Sequence, residues 1–388
     1  MADDKEIDMN KKPSTVLVAI LAVLVGINLR PIIAAIGPLL GVLQNDLHLS
    51  STEASLLTTL PVMMMGAFAL AGPWLQIRLG EKSGVGLGML LIAAASGLRS
   101  WVDHSTALIA TAALGGIGIA MTQALMPAFL KRNFPQSAGT LMALFTTGIM
   151  AGAAIASAAS APGADAVGWR LTLGLAAVPA LIACGAWVLW VSAQRSAGSA
   201  VGLPTGSPRA WLLMAFFGLG TGAYTLVLAW LPPYYIELGW PAANAGYLLG
   251  ALTLTEVLAG LLVSGFIHRF PDRRAVLVVV VLLVLAGLGC LIVAPGELAF
   301  AATILLGLGI GALFPLSLIV TLDHANSPAQ AGSLLAFVQG GGYLIAGTMP
   351  FLAGVLRDEM SSLRLAWAGM AIGVAVLLVM TSRFAPRR

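Results

Sequence analysis

The sequence predicts an all-α, polytopic membrane protein with twelve transmembrane helices in two pseudo-symmetric six-helix bundles. Three observations carry this expectation. Charged residues make up 9% of the 388-residue chain and hydrophobic ones 59%, whereas soluble domains carry about 25% charged residues. Apolar runs of the ~20 residues needed to cross a bilayer core recur along the whole chain, without the alternation of barrel strands. Backbone in lipid must close its own hydrogen bonds, so these runs are helices. Finally, the chain repeats at an offset of 193 residues. Pro135-Gln-Ser-Ala-Gly-Thr-Leu-Met-Ala-Leu144 matches Pro328-Ala-Gln-Ala-Gly-Ser-Leu-Leu-Ala-Phe337, and Gly116-Ile-Gly118 matches Gly309-Ile-Gly311.

The polar tail 1–14 precedes the first span without a small-residue cleavage site, so the first span itself is expected to direct insertion. Span one, 15–44, carries Arg30 near its middle, with Asn28 before it and Pro31 after it. Proline biases the preceding residue away from helical dihedrals and removes one backbone donor, so this helix is expected to be distorted where the charge sits. Spans two and three, 53–77 and 84–101, flank a short basic loop. Span four, 107–130, contains Gln123. Span five, 138–161, places Gly148, Gly152, Ala156 and Ser160 at every fourth position, a face on which another helix can approach closely. Span six, 171–193, completes the first bundle, 15–193. A Gly/Ser/Pro-rich stretch, 194–209, reads as a flexible linker.

Spans seven to twelve cover 210–236, 244–267, 275–293, 298–322, 331–356 and 363–384. They form the second bundle, 210–384, followed by a short tail, 385–388. Span seven brings Tyr224 and Trp230, and span eight brings Glu256. Span ten ends at Asp323 and His324. Span eleven carries Gln339, Tyr343, the triplet Gly340–342 and Pro350, which reads either as a bendable helix or as close packing. Cys184 and Cys290 lie in distant spans and form no disulfide framework.

Charge distribution sets the expected orientation. With both termini cytoplasmic, fifteen of the twenty Lys and Arg residues fall in cytoplasmic segments; Arg99, Arg170, Arg357 and Arg364 fall outside, and Arg30 lies within a span. This is the positive-inside pattern. It also accounts for the net charge of +4 without a nucleic-acid partner, because the basic residues are scattered through short loops.

Arg30 dominates the functional reading. A guanidinium at bilayer depth costs roughly 2.5–3.5 kcal/mol on insertion scales, and arginine cannot shed its charge. A carboxylate partner, water in a cavity or an anionic substrate can offset that cost, so Arg30 is either a substrate contact or half of an ion pair that locks two helices. Broken helices near the midplane mark binding sites in transporters. Glu256, well inside its span, is a candidate for proton coupling or gating, or else a static counter-charge for Arg30. Gln123, Gln339 and Tyr343 can donate and accept toward a small polar solute; Thr146 occupies the repeat position of Gln339, while Tyr224 and Trp230 offer aromatic surface. Interhelical hydrogen bonding is the alternative for each. Asp323 and His324 are candidates for a gate at the cytoplasmic end of span ten, or a solvated helix end. No metal-ligand cluster, cofactor motif or phosphate loop is present, and no catalytic pair suggests an enzyme.

Several stretches resemble the major facilitator superfamily, and within it the cyanate permease and 2-nitroimidazole transporter branch. These are Asn28-Leu-Arg-Pro31, Gly37-Pro-Leu-Leu40, Gly116 to Ile119 through Met126-Pro127, Lys131-Arg-Asn-Phe134, Ala229-Trp-Leu-Pro232, Tyr235 to Gly239, Leu322-Asp-His324, Leu335 to Gly340, and Gly354 to Arg357. The resemblance implies a central cavity lined by spans 1, 4, 7 and 10 and closed at its sides by spans 2, 5, 8 and 11. Arg30, Gln123 and Tyr224 would then fall on the first set, and Glu256, Thr146 and Gln339 on the second. Departures are visible. The loop from Gly72 to Lys82 lacks the acid usual before its glycine, and the second copy, His268 to Arg274, has Pro271 where glycine is usual. Span five lacks the Gly-Pro-x-x-Gly-Gly pattern of many drug–proton antiporters.

The resulting expectation is a secondary transporter of the cytoplasmic (inner) membrane, working by alternating access as a functional monomer. Its solute would be a small anion or polar compound, cyanate-like or nitroimidazole-like, with protons a candidate co-substrate. The alternatives are a proton-driven exporter of amphiphilic drugs and, from another class, a non-transporting membrane sensor.

Overall fold

The computed structural model describes residues 14–191, 202–270, 272–325 and 327–384. Residues 1–13 and 385–388 of the expected tails, half of the linker (194–201) and Pro271 lie outside the described residues. Twelve helical segments are long and apolar enough to cross a membrane, and no strand occurs among the described residues.

The first span is three helices, α1 (Thr15–Ile27), α2 (Pro31–Ala34) and α3 (Ile36–Leu47). The chain leaves helical pairing at Asn28–Arg30, Pro31 starts the four-residue α2, and a second interruption falls at Ala35. Spans two and three, grouped here as α4 (Ser51–Leu98), are two helices that meet at Gly80, whose φ of 68° and ψ of 168° are non-helical and favour glycine. Next come α5 (Ser105–Asn133), α6 (Ala138–Val167), α7 (Trp169–Leu175) and α8 (Ala177–Trp190). The second half comprises α9 (Pro208–Glu237), α10 (Ala242–Phe266), α11 (Arg273–Val293), α12 (Ala299–Asp323), α13 (Pro328–Met360) and α14 (Arg364–Thr381).

Small residues set the close helix approaches, as the spacing in span five anticipates. A methyl group at Gly152 would overlap the carbonyl of Ile27, so α6 lies directly against the end of α1, just before the break. The triplet in α13 serves packing: Gly340 faces Leu70, Gly341 faces Met214 and Gly342 faces Phe217, within one continuous helix.

Each half is fastened by an ion pair at the end that carries Ser14 and Phe384. In the first half Arg132, at the end of α5, pairs with Glu81, which is 1% exposed and also accepts from Gln76 Nε2 at 2.8 Å. In the second, Arg273 Nε pairs with Asp323 Oδ2 at 3.1 Å. The two pairs occupy matching places in the repeat with opposite polarity. The acid absent before Gly80 in sequence is thus found immediately after it.

The halves meet through α4 with α13, α6 with α10, and α3 with α9. Hydrogen bonds join the two bundles at the end remote from the termini. The Asp358 carboxylate of α13 accepts from Ser51 N at 2.8 Å, Thr52 N at 2.7 Å and Thr52 Oγ1 at 2.6 Å. It therefore caps the start of α4, where unpaired backbone N–H groups favour a negative charge. Beside it, Arg357 pairs with Glu237 at 2.5 Å and donates to Gln44 Oε1 at 3.4 Å. On the face of α6 that meets α10, Ala154 and Ser157 pack against Gly250 and Gly246. Toward the other end of α6, Thr146 is exposed. The contacts of Asp358 and Arg357 latch the bundles at the end remote from the termini.

Removing the cap weakens the latch. For Asp358→Ala, about 1 kcal/mol of charge-assisted hydrogen bonding to an exposed group is lost, roughly a fivefold shift toward separated bundle ends. Spin labels at Asp103 and Glu359 should show a longer distance component than in the unsubstituted protein; an unchanged distribution would remove Asp358 from the latch.

Candidate functional site

Arg30 emerges from the break between α1 and α2, and the local chemistry explains why a charge can stand there. Asn28 turns away from it: its Nδ2 donates to Leu24 O at 2.7 Å and to Pro179 O at 3.3 Å, stitching the break to α8. Pro31 lacks an N–H and sits where a helix needs none. Arg30, with φ −107° and ψ −21°, is left at the head of α2, 5% exposed.

Its surroundings come from both halves. Nη1 faces Met65 Sδ of α4 at 3.6 Å, and the guanidinium carbon lies 5.6 Å from the ring centroid of Tyr224 on α9. Nε is buried without a hydrogen-bond partner, and among the described residues no carboxylate pairs with Arg30. A cation over an aromatic face contributes about 0.5–2 kcal/mol, less than the several kcal/mol that a buried ion loses in desolvation. The static-ion-pair alternative for Arg30 is therefore absent from this state.

Glu256 approaches from α10, where the lack of a side chain at Gly311 allows α12 to lie against its backbone. It is 4% exposed, and neither carboxylate oxygen has a hydrogen-bond partner. The Tyr224 hydroxyl is likewise buried without a partner. Tyr343, on α13, packs edge-on against Phe217 at 5.3 Å. Arg30, Glu256 and Tyr343 all lie close enough to Tyr224 to act on it electrostatically, and Arg30 acts on Glu256 in the same way. Arg30 and Tyr224 are in contact, and Glu256 and Tyr343 lie within electrostatic range of them, so this polar cluster has its cation on the first half and Tyr224, Glu256 and Tyr343 on the second.

The remaining candidates are distributed differently. Gln123 on α5 has a buried Oε1 without a partner, and Gln339 is half-buried one turn before Tyr343. Thr146 donates back to Met142 O at 2.9 Å on its own helix. Trp230 donates to Pro350 O at 3.0 Å and lies beneath the Arg357 guanidinium at 5.3 Å, which puts it with the latch. Asp323 belongs to the ion pair with Arg273, and His324 Nδ1 lies 2.7 Å from Val320 O. Neither is in contact with the cluster. Residue type gave no signal for Met65, whose sulfur faces Arg30. Arg99, counted by charge pattern among loop residues, is 1% exposed within the first half; its position directly after an unbroken apolar run was the available hint.

A helical bundle pair of this kind, with a cation at a broken first span, can be compared with known proteins. The family model described as Major Facilitator Superfamily matches residues 16–347. The chain belongs to the Major Facilitator Superfamily. Within this superfamily it is 40% identical over 372 residues to the cyanate transport protein of Escherichia coli (strain K12), covering 94% of this chain and 96% of that one. It is 32% identical over 371 residues to the 2-nitroimidazole transporter of the same organism, covering 93% and 92%. These superfamily relatives are transporters, not enzymes. Among solved structures, the D-xylose–proton symporter superposes with a TM-score of 0.75 at 15% identity, covering 96% of this chain and 98% of that one. The inward open xylose transporter of E. coli gives 0.77 at 15% identity, with 96% of each chain covered. The fold is that of the superfamily, and this chain is a multi-pass membrane transporter.

A buried hydroxyl without a partner is a stability liability of about 1–3 kcal/mol. Tyr224→Phe keeps the ring beside Arg30 and removes that group. Its melting temperature in detergent should equal or exceed that of the unsubstituted protein; a marked fall would mean that the hydroxyl has a structural partner.

Proposed function

We propose that this transporter carries a small anion or small polar compound, of the cyanate or nitroimidazole kind, across the bacterial inner membrane by alternating access. It works as a monomer with both termini in the cytoplasm. The observation that carries the reading is Arg30, a buried cation with no carboxylate partner among the described residues, set at a helix break beside the Tyr224 ring of the opposite half. The names of the relatives at 40% and 32% identity, a cyanate and a 2-nitroimidazole transporter, support the substrate class.

The geometry suggests how the parts act. The latch of Asp358 and Arg357 closes the end remote from the termini, which, with cytoplasmic termini, supports reading this state as inward-facing. A solute entering from the cytoplasmic side meets the Arg30 guanidinium, whose five donors suit an anionic or strongly polar acceptor. Tyr224, Gln339 and Tyr343 offer hydroxyl and amide groups beside it. Contact with Arg30 from one half and with tyrosines from the other gives the solute a means of drawing the halves together. Glu256 supplies a competing negative charge. Ionised, it attracts Arg30 from the second half; protonated, it releases Arg30 to the solute. Solute binding and proton uptake are thereby coupled through one cation.

The test is flux of labelled cyanate and 2-nitroimidazole into proteoliposomes. Arg30→Ala should abolish uptake, and Arg30→Lys should lower it at least tenfold, because a point charge replaces a planar fork of donors. Glu256→Gln should retain binding but lose its response to an imposed pH gradient. Undiminished flux in Arg30→Ala would end the role given to that residue, and pH-gradient-driven uptake persisting in Glu256→Gln would end the coupling role.

A further inference from the structure

Arg99 is a second buried arginine that the mechanism above does not use. It lies in the short 3-10 turn Arg99–Trp101 that ends α4 and is 1% exposed. Its Nη1 donates to the carbonyl of Ile32 at 3.0 Å, and its Nε donates to Thr111 Oγ1 at 3.1 Å. The Thr111 hydroxyl is itself aimed by donation to Leu108 O at 2.6 Å. Among the described residues no carboxylate pairs with Arg99, and its Nη2 is buried without a partner. Stability is a poor explanation for this arrangement. A buried guanidinium bonded only to neutral acceptors loses more in desolvation than an apolar side chain of similar size would.

What it holds is informative. Ile32 belongs to α2, two residues beyond Arg30. The turn of α2 leads through Ala35, itself helical in φ and ψ, into α3, so only its leading end at Arg30 is free of the preceding helix. That N-cap, Arg30, makes no side-chain capping bond. Two contacts from outside hold this leading turn. The Ile32 side chain fills the space left by Gly115, where a methyl group would overlap it, and the Ile32 carbonyl is held by Arg99. We infer that Arg99 is a positioning residue for Arg30: by gripping the Ile32 carbonyl it fixes the turn from which the Arg30 side chain projects, and so sets affinity for the transported solute. The last step rests on the reading of Arg30 as the solute anchor.

Two variants and two measurements test this. Arg99→Lys keeps the charge but cannot bond Ile32 and Thr111 with one planar fork. Thr111→Val leaves Arg99 in place and removes the contact that aims it. Hydrogen exchange over residues 29–36 should accelerate about tenfold in Arg99→Lys, the effect of losing one hydrogen bond to a charged group, and less in Thr111→Val. Exchange over 112–125 should be unchanged. In proteoliposomes the KM for labelled cyanate should rise by a similar factor, about tenfold, with Vmax within twofold. Unchanged exchange over 29–36 in both variants overturns the inference, as does a fall in Vmax at constant KM. Should Arg99→Lys fail to fold, Thr111→Val decides by the same criteria. If the unsubstituted protein takes up neither cyanate nor 2-nitroimidazole, the functional reading falls, and the exchange measurement still decides whether Arg99 fixes the turn.

Discussion

A guanidinium with no carboxylate partner among the described residues, buried where the first span comes apart, is the constraint around which the rest of this chain is arranged. The helix must break for Arg30 to stand free of its own backbone, and the break must be held. Asn28 ties it to α8, Gly152 admits α6 against the end of α1, and Arg99 grips the carbonyl beyond it. Each contact lies within a few residues of the charge, and each comes from the first half. The second half contributes the groups that face the charge without bonding to it: Tyr224, Glu256 and Tyr343. One bundle supplies a rigid mount and the other an adaptable face, a division suited to a site that must be approached from two sides in turn.

The two bundles are copies in architecture and opposites in charge at their fastenings. Glu81 with Arg132 in the first and Arg273 with Asp323 in the second occupy corresponding helix ends. Coulomb attraction is indifferent to which partner carries which sign, so a duplicated fold can exchange polarity without altering its geometry. The contact between bundles is less symmetric. It depends on small residues along α4 and α13 and on the Asp358 cap at one end.

Span number, the two-bundle plan and the break at Arg30 were legible in sequence because each rests on a local rule: apolar run length, internal repetition, and the missing amide hydrogen of proline. The expected shift of Arg30 itself away from helical dihedrals did not occur, since its φ of −107° and ψ of −21° stay in the helical region. Arg30 and Glu256 were legible as candidates because a charge at that depth is costly wherever it points. The direction of a side chain was not legible. Asn28 and Trp230 lie in the right spans yet turn toward α8 and the latch, since rotation about a helix axis is set by neighbours that sequence does not name. Charge counting treated Arg99 as a loop residue because it assumes that a basic side chain beside a span end reaches water, whereas this one points inward. Spans two and three are separate, as expected, but the tightness of their junction rests on the backbone of Gly80, which composition cannot distinguish from an ordinary loop glycine.

The cap at the start of α4 places unequal demands on its two partners. Asp358 mostly recognises main chain, namely the amide nitrogens of Ser51 and Thr52. Any residue except proline at 51 or 52 presents the same amide, and the Thr52 hydroxyl is an addition rather than a requirement. Position 358, by contrast, must carry a short side chain ending in an acceptor. Substitutions at 51 and 52 are therefore tolerated broadly, and the capping part of this closure rests on one acidic side chain of the other half.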